Sequence, residues 1–573
     1  MNTGNEIAGS GETPKLRLLL WTIISLVAMA AGMMTLNTTA TNAAMVPHLY
    51  KDLTAGPSSS GPEDFTPMNG NLYFTARSSA QGQELWKVSG GKASPLADIN
   101  PGKGHSSPTG LTLFKGHLYF VANDGTHGRE LWRTDGTSVE MVADIYPGSP
   151  HSYPSNLTVI GGKLVFAAEA VATGSELWAT DGGAPALVKD IRLGGVGSDP
   201  GSFATLGEHA YFSANDGVNG TELWRTDGST ATLVANISPG AAPSYPGYKF
   251  EFKGQLYFAA RSAATGIELF RTDGNTTGIV ADIHPGAGDS YPQSFGAYGD
   301  HLYFSAGTAM TGNELWRTDG AAPVADTDLV SDINPGSWGS GPDHLTVFNG
   351  ELYFRADTEE FGIELWRFNG TDLQQAGDIY PGSEDANPDG LTVFAGGLYF
   401  TAEDGAHGRE LWVTDGVQPR LVKDVLEGDG TSDPYDFTSF GGSLYFTADD
   451  GVHGWEMWRI TEDSSVSVKV RAKIRVDRAG RATIRARCAA SEISGPCRGK
   501  VVVRSKGKVL GKGKFTAEAG QVATVRLKLS KKVRKMVRRD KSARRVKIRI
   551  TARDAAANKR ISTSSARLIG LSK

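Results

Sequence analysis

Along most of the chain the apolar residues neither alternate with polar ones nor recur at helical spacing. They come in short dense runs. Between residues 95 and 136 the runs are "PLADI", "TGLTLF", "HLYFVA" and "RELWRT", separated by segments rich in Gly, Pro, Asn and Asp. Runs of this length and punctuation predict strands. Leu118, Tyr119 and Phe120 are consecutive, as are Leu131 and Trp132. Neighbours on a strand point to opposite faces, so both faces of these central strands are expected to be covered. Two-residue turns containing Gly lead into the Leu-Tyr-Phe run, for example Asn69-Gly70 and Lys115-Gly116. Tight hairpins need positive φ there, which Gly and Asn adopt at little cost.

The four runs then return. The glutamate of a Glu-Leu-Trp core stands at Glu84, Glu130, Glu176, Glu222, Glu268, Glu314, Glu364, Glu410 and Glu456, spaced by 46 residues except for 50 between Glu314 and Glu364. A period of this size signals stacked supersecondary units. Nine small sheets covered on both faces predict an all-β fold, a β-propeller of about nine four-stranded blades. A fourth-strand run, "LYKDL" (Leu49–Leu53), precedes the first copy, and the last copy stops after Trp458 without one. The offset predicts that the N-terminal strand completes the ninth blade, which removes two free sheet edges.

These motifs resemble the bacterial ELWxxDGT-repeat proteins over about residues 46–462. Some copies depart from the pattern: Phe270 replaces Trp, Met457 replaces Leu, and Ser89-Gly90 and Asn369-Gly370 replace Asp-Gly. The resemblance implies a secreted or surface repeat protein, usually without a defined activity.

The N-terminus supplies an address. Lys15 and Arg17 precede an apolar run from Leu18 to Leu36, and no Lys, Arg, Asp or Glu follows until Lys51. Residues 1–43 read as a secretory signal cleaved after Ala40 or Ala43, or as a retained membrane anchor of sufficient length.

Charge divides the chain. It carries 58 Lys and Arg against 62 Asp and Glu, but from residue 465 to 573 there are 33 basic and 5 acidic residues, leaving 25 and 57 in the rest. Alternating stretches such as "RATIRARC" and "RRVKIRITAR" predict a basic β-sandwich over 465–573. This part looks like the Ig-like modules that end many actinobacterial secreted proteins. Cys488 and Cys497 are expected to form one disulfide in an exported protein; two reduced core thiols are the alternative. So basic a surface attracts polyanions. Anionic envelope polymers are the expected partners, while docking on the acidic repeats and plain solubility are the other readings. Nucleic acid is not expected, because no aromatic-basic stacking motif appears.

In a propeller, the loops between the fourth and first strands share a face with those between the second and third. Loops on a rigid scaffold commonly carry function. The former present Tyr153, Tyr245, Tyr291, Trp338 and Tyr435, candidate rings for a glycan or protein ligand; packing on the neighbouring blade is the alternative. The nine glutamates are expected to accept backbone N–H groups, since an active site needs one asymmetric constellation. His127, His407 and His453 read as surface residues. No cofactor, metal or catalytic residue is expected. Three functions remain: a non-catalytic exported interaction scaffold, a secreted polysaccharide hydrolase or lyase, and a structural surface component.

Overall fold

The structure is a computed structural model describing residues 45–321, 326–462, 473–476, 481–487, 497–505, 508–517, 522–529, 544–553 and 559–570. Every regular element among them is a strand, and none of their elements is a helix long and apolar enough to cross a membrane. The expected signal or anchor, residues 1–43, lies outside the described residues.

Nine four-stranded antiparallel sheets make up the unit Val46–Thr461. Strands A to D of the second blade are Thr109–Phe114, His117–Asn123, Arg129–Thr134 and Val139–Ala143, hydrogen-bonded in that order. In the ninth blade, strands A to C are Tyr435–Phe440, Ser443–Asp449 and Trp455–Glu462, and Met45–Lys51 is the outer strand. The ring is therefore closed by the first strand among the described residues.

Strand B explains why the sheets stack. Leu72, Tyr73 and Phe74 are fully buried, and so are Leu352, Tyr353 and Phe354. Consecutive residues face opposite sides, so each strand B supplies both walls of its sheet. Leu131 packs in one cluster with Phe166 of the next blade, while Phe120 joins Leu85 of the blade before. Burying each such ring stabilises by roughly 2–3 kcal/mol.

Strand A is the axial end of each sheet. Neighbouring A strands touch directly: Gly110 N donates to Asp64 Oδ2 at 3.2 Å, and Ser294 Oγ to Asp343 Oδ1 at 2.6 Å. The second residue of every A strand has positive φ, from Asp64 to Asp436, beside a shift in the pairing register with strand B.

The C-terminal strands are expected to form a two-sheet sandwich. The described ones form one seven-stranded sheet, in which Lys473–Val476 runs parallel to Lys559–Gly570. The sheet curls: Val525 and Leu527, on the strand at one end of the order, lie against the position of a Cβ on Gly513 at the other end. Glycine there admits the close approach that joins the two ends. Val501, Val503, Val525 and Leu527 are buried, while Lys512, Lys514, Arg526 and Lys528 stand exposed on alternating positions. The expected Cys488–Cys497 pairing lies outside the described residues.

Candidate functional site

Each repeated glutamate is fully buried on strand C and points at the loop between strand D and the next blade. Glu130 shows the pattern. Its Oε2 accepts Ile145 N–H at 2.9 Å and the Ser152 hydroxyl at 2.6 Å, and its Oε1 accepts Ser152 N–H at 3.1 Å. The Ser152 carbonyl then accepts Glu169 N–H from strand B of the next blade, at 2.7 Å. One serine thus ties the carboxylate of one blade to the backbone of its neighbour.

The clasp recurs around the ring. Ser60, Ser106, Ser152, Ser198, Ser244, Ser290, Ser340 and Ser432 each donate to a glutamate at 2.6–2.7 Å. Ser60 joins Glu456, so the seam between the first and last blades closes by the same bonds. The motif is Ser-x-Pro, and its proline is buried in each copy, as with Pro62, Pro154 and Pro434. In the sequence Ser-Tyr-Pro reads as loop packing, which overlooks the hydroxyl, although its spacing of 22 residues from Glu84, Glu130 and Glu176 is visible there.

One seam departs. Ala386 stands where the serine should be, and Glu364 Oε2 is buried without a hydrogen-bond partner. Its Oε1 still accepts Tyr380 N–H at 2.8 Å, and the Ala386 carbonyl still accepts Glu403 N–H. Burial pushes the Glu364 carboxyl up to about 7, the nearby backbone N–H groups of Tyr380 and Ile379 pull it down, and Asp378 adds to the rise. In the other eight blades burial also raises the carboxyl. There a serine hydroxyl opposes it.

The expected rim aromatics fall into three groups. Tyr153, Tyr245 and Tyr291 occupy the x of Ser-x-Pro and are 55%, 65% and 52% exposed. Trp338 sits two residues before Ser340 and is 92% exposed. Tyr435 does not belong with them. It is the first residue of an A strand, half-buried, with its ring centroid 5.5 Å from that of Trp455 and its hydroxyl 3.4 Å from Glu63. Burial and then Glu63 raise its hydroxyl pKa.

The x position has a conformational signature. Its φ is positive in all nine copies, from +41° at Asp433 to +53° at Gly341. Six copies place Gly, Ser, Asp or Asn there, and three place tyrosine. Polar groups flank two of these rings. Asp289 Oδ2 accepts the Tyr291 hydroxyl at 3.0 Å and Arg261 Nη2 at 2.8 Å, and the His151 ring lies 4.9 Å from that of Tyr153. Exposed Tyr248, the second residue of its A strand, lies on the same arc. Beside it Lys249 takes a place that other copies fill with Phe or Leu. Its Nζ donates to Ser202 O at 2.8 Å and Pro246 O at 2.6 Å, and burial pulls its pKa down to about 7.

The three histidines sit in outer loops of the same face. His127 Nδ1 lies 2.7 Å from Asp124, and His407 and His453 lie 2.8 Å from Asp404 and Asp450. Those bonds raise each imidazole pKa. In the fourth blade Asn219 makes the same bond to Asp216 at 2.7 Å. Among the described residues no group of three or more His, Cys, Asp or Glu is placed to hold a metal ion.

No family model and no curated protein matches the chain. Solved structures match at low identity. A prolyl endopeptidase aligns at 11% identity and a TM-score of 0.34, over 83% of this chain and 59% of its own length. The extracellular domain of a hybrid two-component system from B. thetaiotaomicron aligns at 9% and 0.29, over 88% and 77%. A lectin from Burkholderia pseudomallei aligns at 10% and 0.29, over 55% and 97%. At these scores the likenesses bear on neither site nor activity.

Proposed function

We propose that the protein is an exported, non-catalytic interaction scaffold of the ELWxxDGT-repeat type. The propeller presents its loop face to a glycan or protein, and the basic C-terminal unit associates with anionic envelope polymers. The observation that carries this reading is the fate of the repeated glutamates. They are the most tempting catalytic groups in the sequence, and eight of the nine are saturated by a serine and backbone donors that join the blades. The aromatic rings of the loop face are instead turned to solvent. The charge surplus beyond residue 465 supports the second contact, through long-range attraction to polyanions.

The test is a binding screen against glycans and envelope fractions, with the full chain and a chain ending at Glu462. Ligands of the loop face should bind both; anionic polymers should bind the full chain in a salt-sensitive way and the shorter chain weakly. Turnover of any glycan in the panel would replace the scaffold by an enzyme. N-terminal sequencing of the exported protein tests processing near Ala40 or Ala43.

A further inference from the structure

A tyrosine at positive φ is uncommon, and bulky residues held there mark positions under constraint. Tyr153, Tyr245 and Tyr291 adopt +46°, +48° and +48° in a loop where six sister copies use Gly, Ser, Asp or Asn. The strain is not offset by burial, since all three are more than half exposed. The fold needs only the backbone shape at this position, so a requirement outside the fold keeps the rings there.

The surroundings narrow that requirement. Two rings of positive-φ residues encircle the axial mouth: the x of each Ser-x-Pro and the second residue of each A strand. Together these eighteen positions carry Gly, Ser, Asn, Asp, His and Tyr, and no aliphatic side chain. Protein hot spots draw on Trp, Arg and Met as well as Tyr, and none of these three stands at the eighteen positions, whereas sugars take flat rings edged by hydroxyl, amide and carboxylate groups. Of the aliphatic side chains exposed on this face, Val171, Val218 and Met310 lie in the loops between strands B and C, and Leu193 lies six residues before Asp199 in its D–A loop. The charges in the two rings are mainly carboxylates, Asp64, Asp199, Asp433 and Asp436, and the His344 imidazole lies 3.3 Å from Asp389. The Lys249 nitrogen is taken up by two carbonyls, and Arg261 by Asp289. An anionic chain would meet repulsion at such a mouth.

We infer that the axial mouth along the third to sixth blades is a carbohydrate site for an uncharged polysaccharide, with Tyr153, Tyr245, Tyr248 and Tyr291 as stacking platforms; this rests on the scaffold function proposed above. The experiment is native affinity electrophoresis of the full-length protein in gels cast with glycogen, mannan, β-glucan or arabinogalactan, with polygalacturonate as the anionic arm. At least one neutral polymer should retard it. The triple variant Tyr153→Ser, Tyr245→Asn, Tyr291→Gly installs residues that sister copies already use. It should weaken that retardation about ten-fold or more through loss of the stacking rings, with no fall in melting temperature. Should the triple variant fail to fold, Tyr248→Ser, which installs the residue found at Ser202 and Ser294, must weaken retardation several-fold.

Unchanged retardation in these variants overturns the assignment, and so does retardation by polygalacturonate alone. If no polymer retards the protein the carbohydrate site falls. Binding to envelope protein after periodate destruction of sugars would then leave the scaffold standing, and binding to nothing would remove both.

Discussion

Two seams of the ring differ by one oxygen atom. Between the second and third blades, Glu130 meets the Ser152 hydroxyl at 2.6 Å; between the seventh and eighth, Glu364 faces Ala386, and its Oε2 has no partner. The backbone across both seams is the same: the Ser152 and Ala386 carbonyls accept the N–H of Glu169 and Glu403 at 2.7 and 2.9 Å. The carboxylate's contribution can therefore be separated from that of the backbone. A buried carboxylate needs donors, and the serine is the one it can lose without changing the path of the chain.

The largest expected effect comes from removing the carboxylate where it is fully used. Glu130→Ala leaves Ile145 N–H, Ser152 N–H and the Ser152 hydroxyl without this acceptor. At about 1–3 kcal/mol for each donor, the loss is roughly 3–9 kcal/mol. Glu364→Ala removes a strongly desolvated group that has one unpartnered oxygen and accepts Tyr380 N–H with the other, and it should cost clearly less. Thermal melts of the two variants decide it, and equal losses would mean that the serine contributes nothing to the clasp.

Next in size is a transplant of the defect. Ser152→Ala recreates the seventh seam in the second blade and should cost about 1–3 kcal/mol, as for a hydrogen bond to a charged group. It should also raise the Glu130 carboxyl further, which carbon-detected NMR titration can follow. Alanine is the cleaner replacement, because a larger apolar side chain would press its added bulk against Glu130.

The reverse change repairs the odd seam. Ala386→Ser should add about 1–2 kcal/mol, and its pH dependence is the sharper readout. The Glu364 carboxyl is raised from 4.5 to about 7 in the folded chain. A raised carboxyl contributes stability that is fully present below the unfolded value and is lost as pH rises through the folded one. The wild type should therefore lose stability from this group between pH 4.5 and 7. A new hydroxyl donor lowers the folded value, so the advantage of Ala386→Ser should be greatest above pH 7 and shrink towards pH 4.5. A gain independent of pH would place its origin elsewhere than at Glu364.

Much of this is legible in the sequence. The nine Glu-Leu-Trp copies set the period, and the unpaired "LYKDL" run locates the closing strand, because a strand displaced to the far end of the chain has one stable place in a ring. The clasp is harder to see. Ser152 looks like any turn serine, and its partner Glu130 lies 22 residues back across a strand and a loop. Tyr435 misleads when loop length is counted from strand D. Counted from Pro434, it is the first residue of strand A, two positions beyond Tyr153 and its equivalents. The positive φ shared by Asp433, Asn387 and Tyr153 is hidden for a related reason: only the Asp and Asn copies favour it by composition.

The smallest expected effect concerns a second departure from the repeat. The indole Nε1 of Trp132 is buried with no hydrogen-bond partner, and the same holds for Trp86, Trp178, Trp224, Trp316, Trp366, Trp412 and Trp458. In the fifth blade Phe270 fills the place, 7% exposed and stacked on Phe258 with centroids 6.2 Å apart. If indole is retained for its area and shape alone, Trp132→Phe should cost about 1 kcal/mol, the scale of a modest loss of core volume, whereas Trp132→Ala should cost roughly 3–5 kcal/mol. Chemical melts of the two variants measure the ratio. A Phe variant as damaging as the Ala variant would show that the indole N–H makes a bond, and the fifth blade would then be as defective at Phe270 as the seventh is at Ala386. A mild loss separates the two departures. The core wall absorbs a change of ring because packing is shared among many contacts, while the loss of one hydroxyl at Ala386 leaves a buried oxygen of Glu364 without a hydrogen-bond partner.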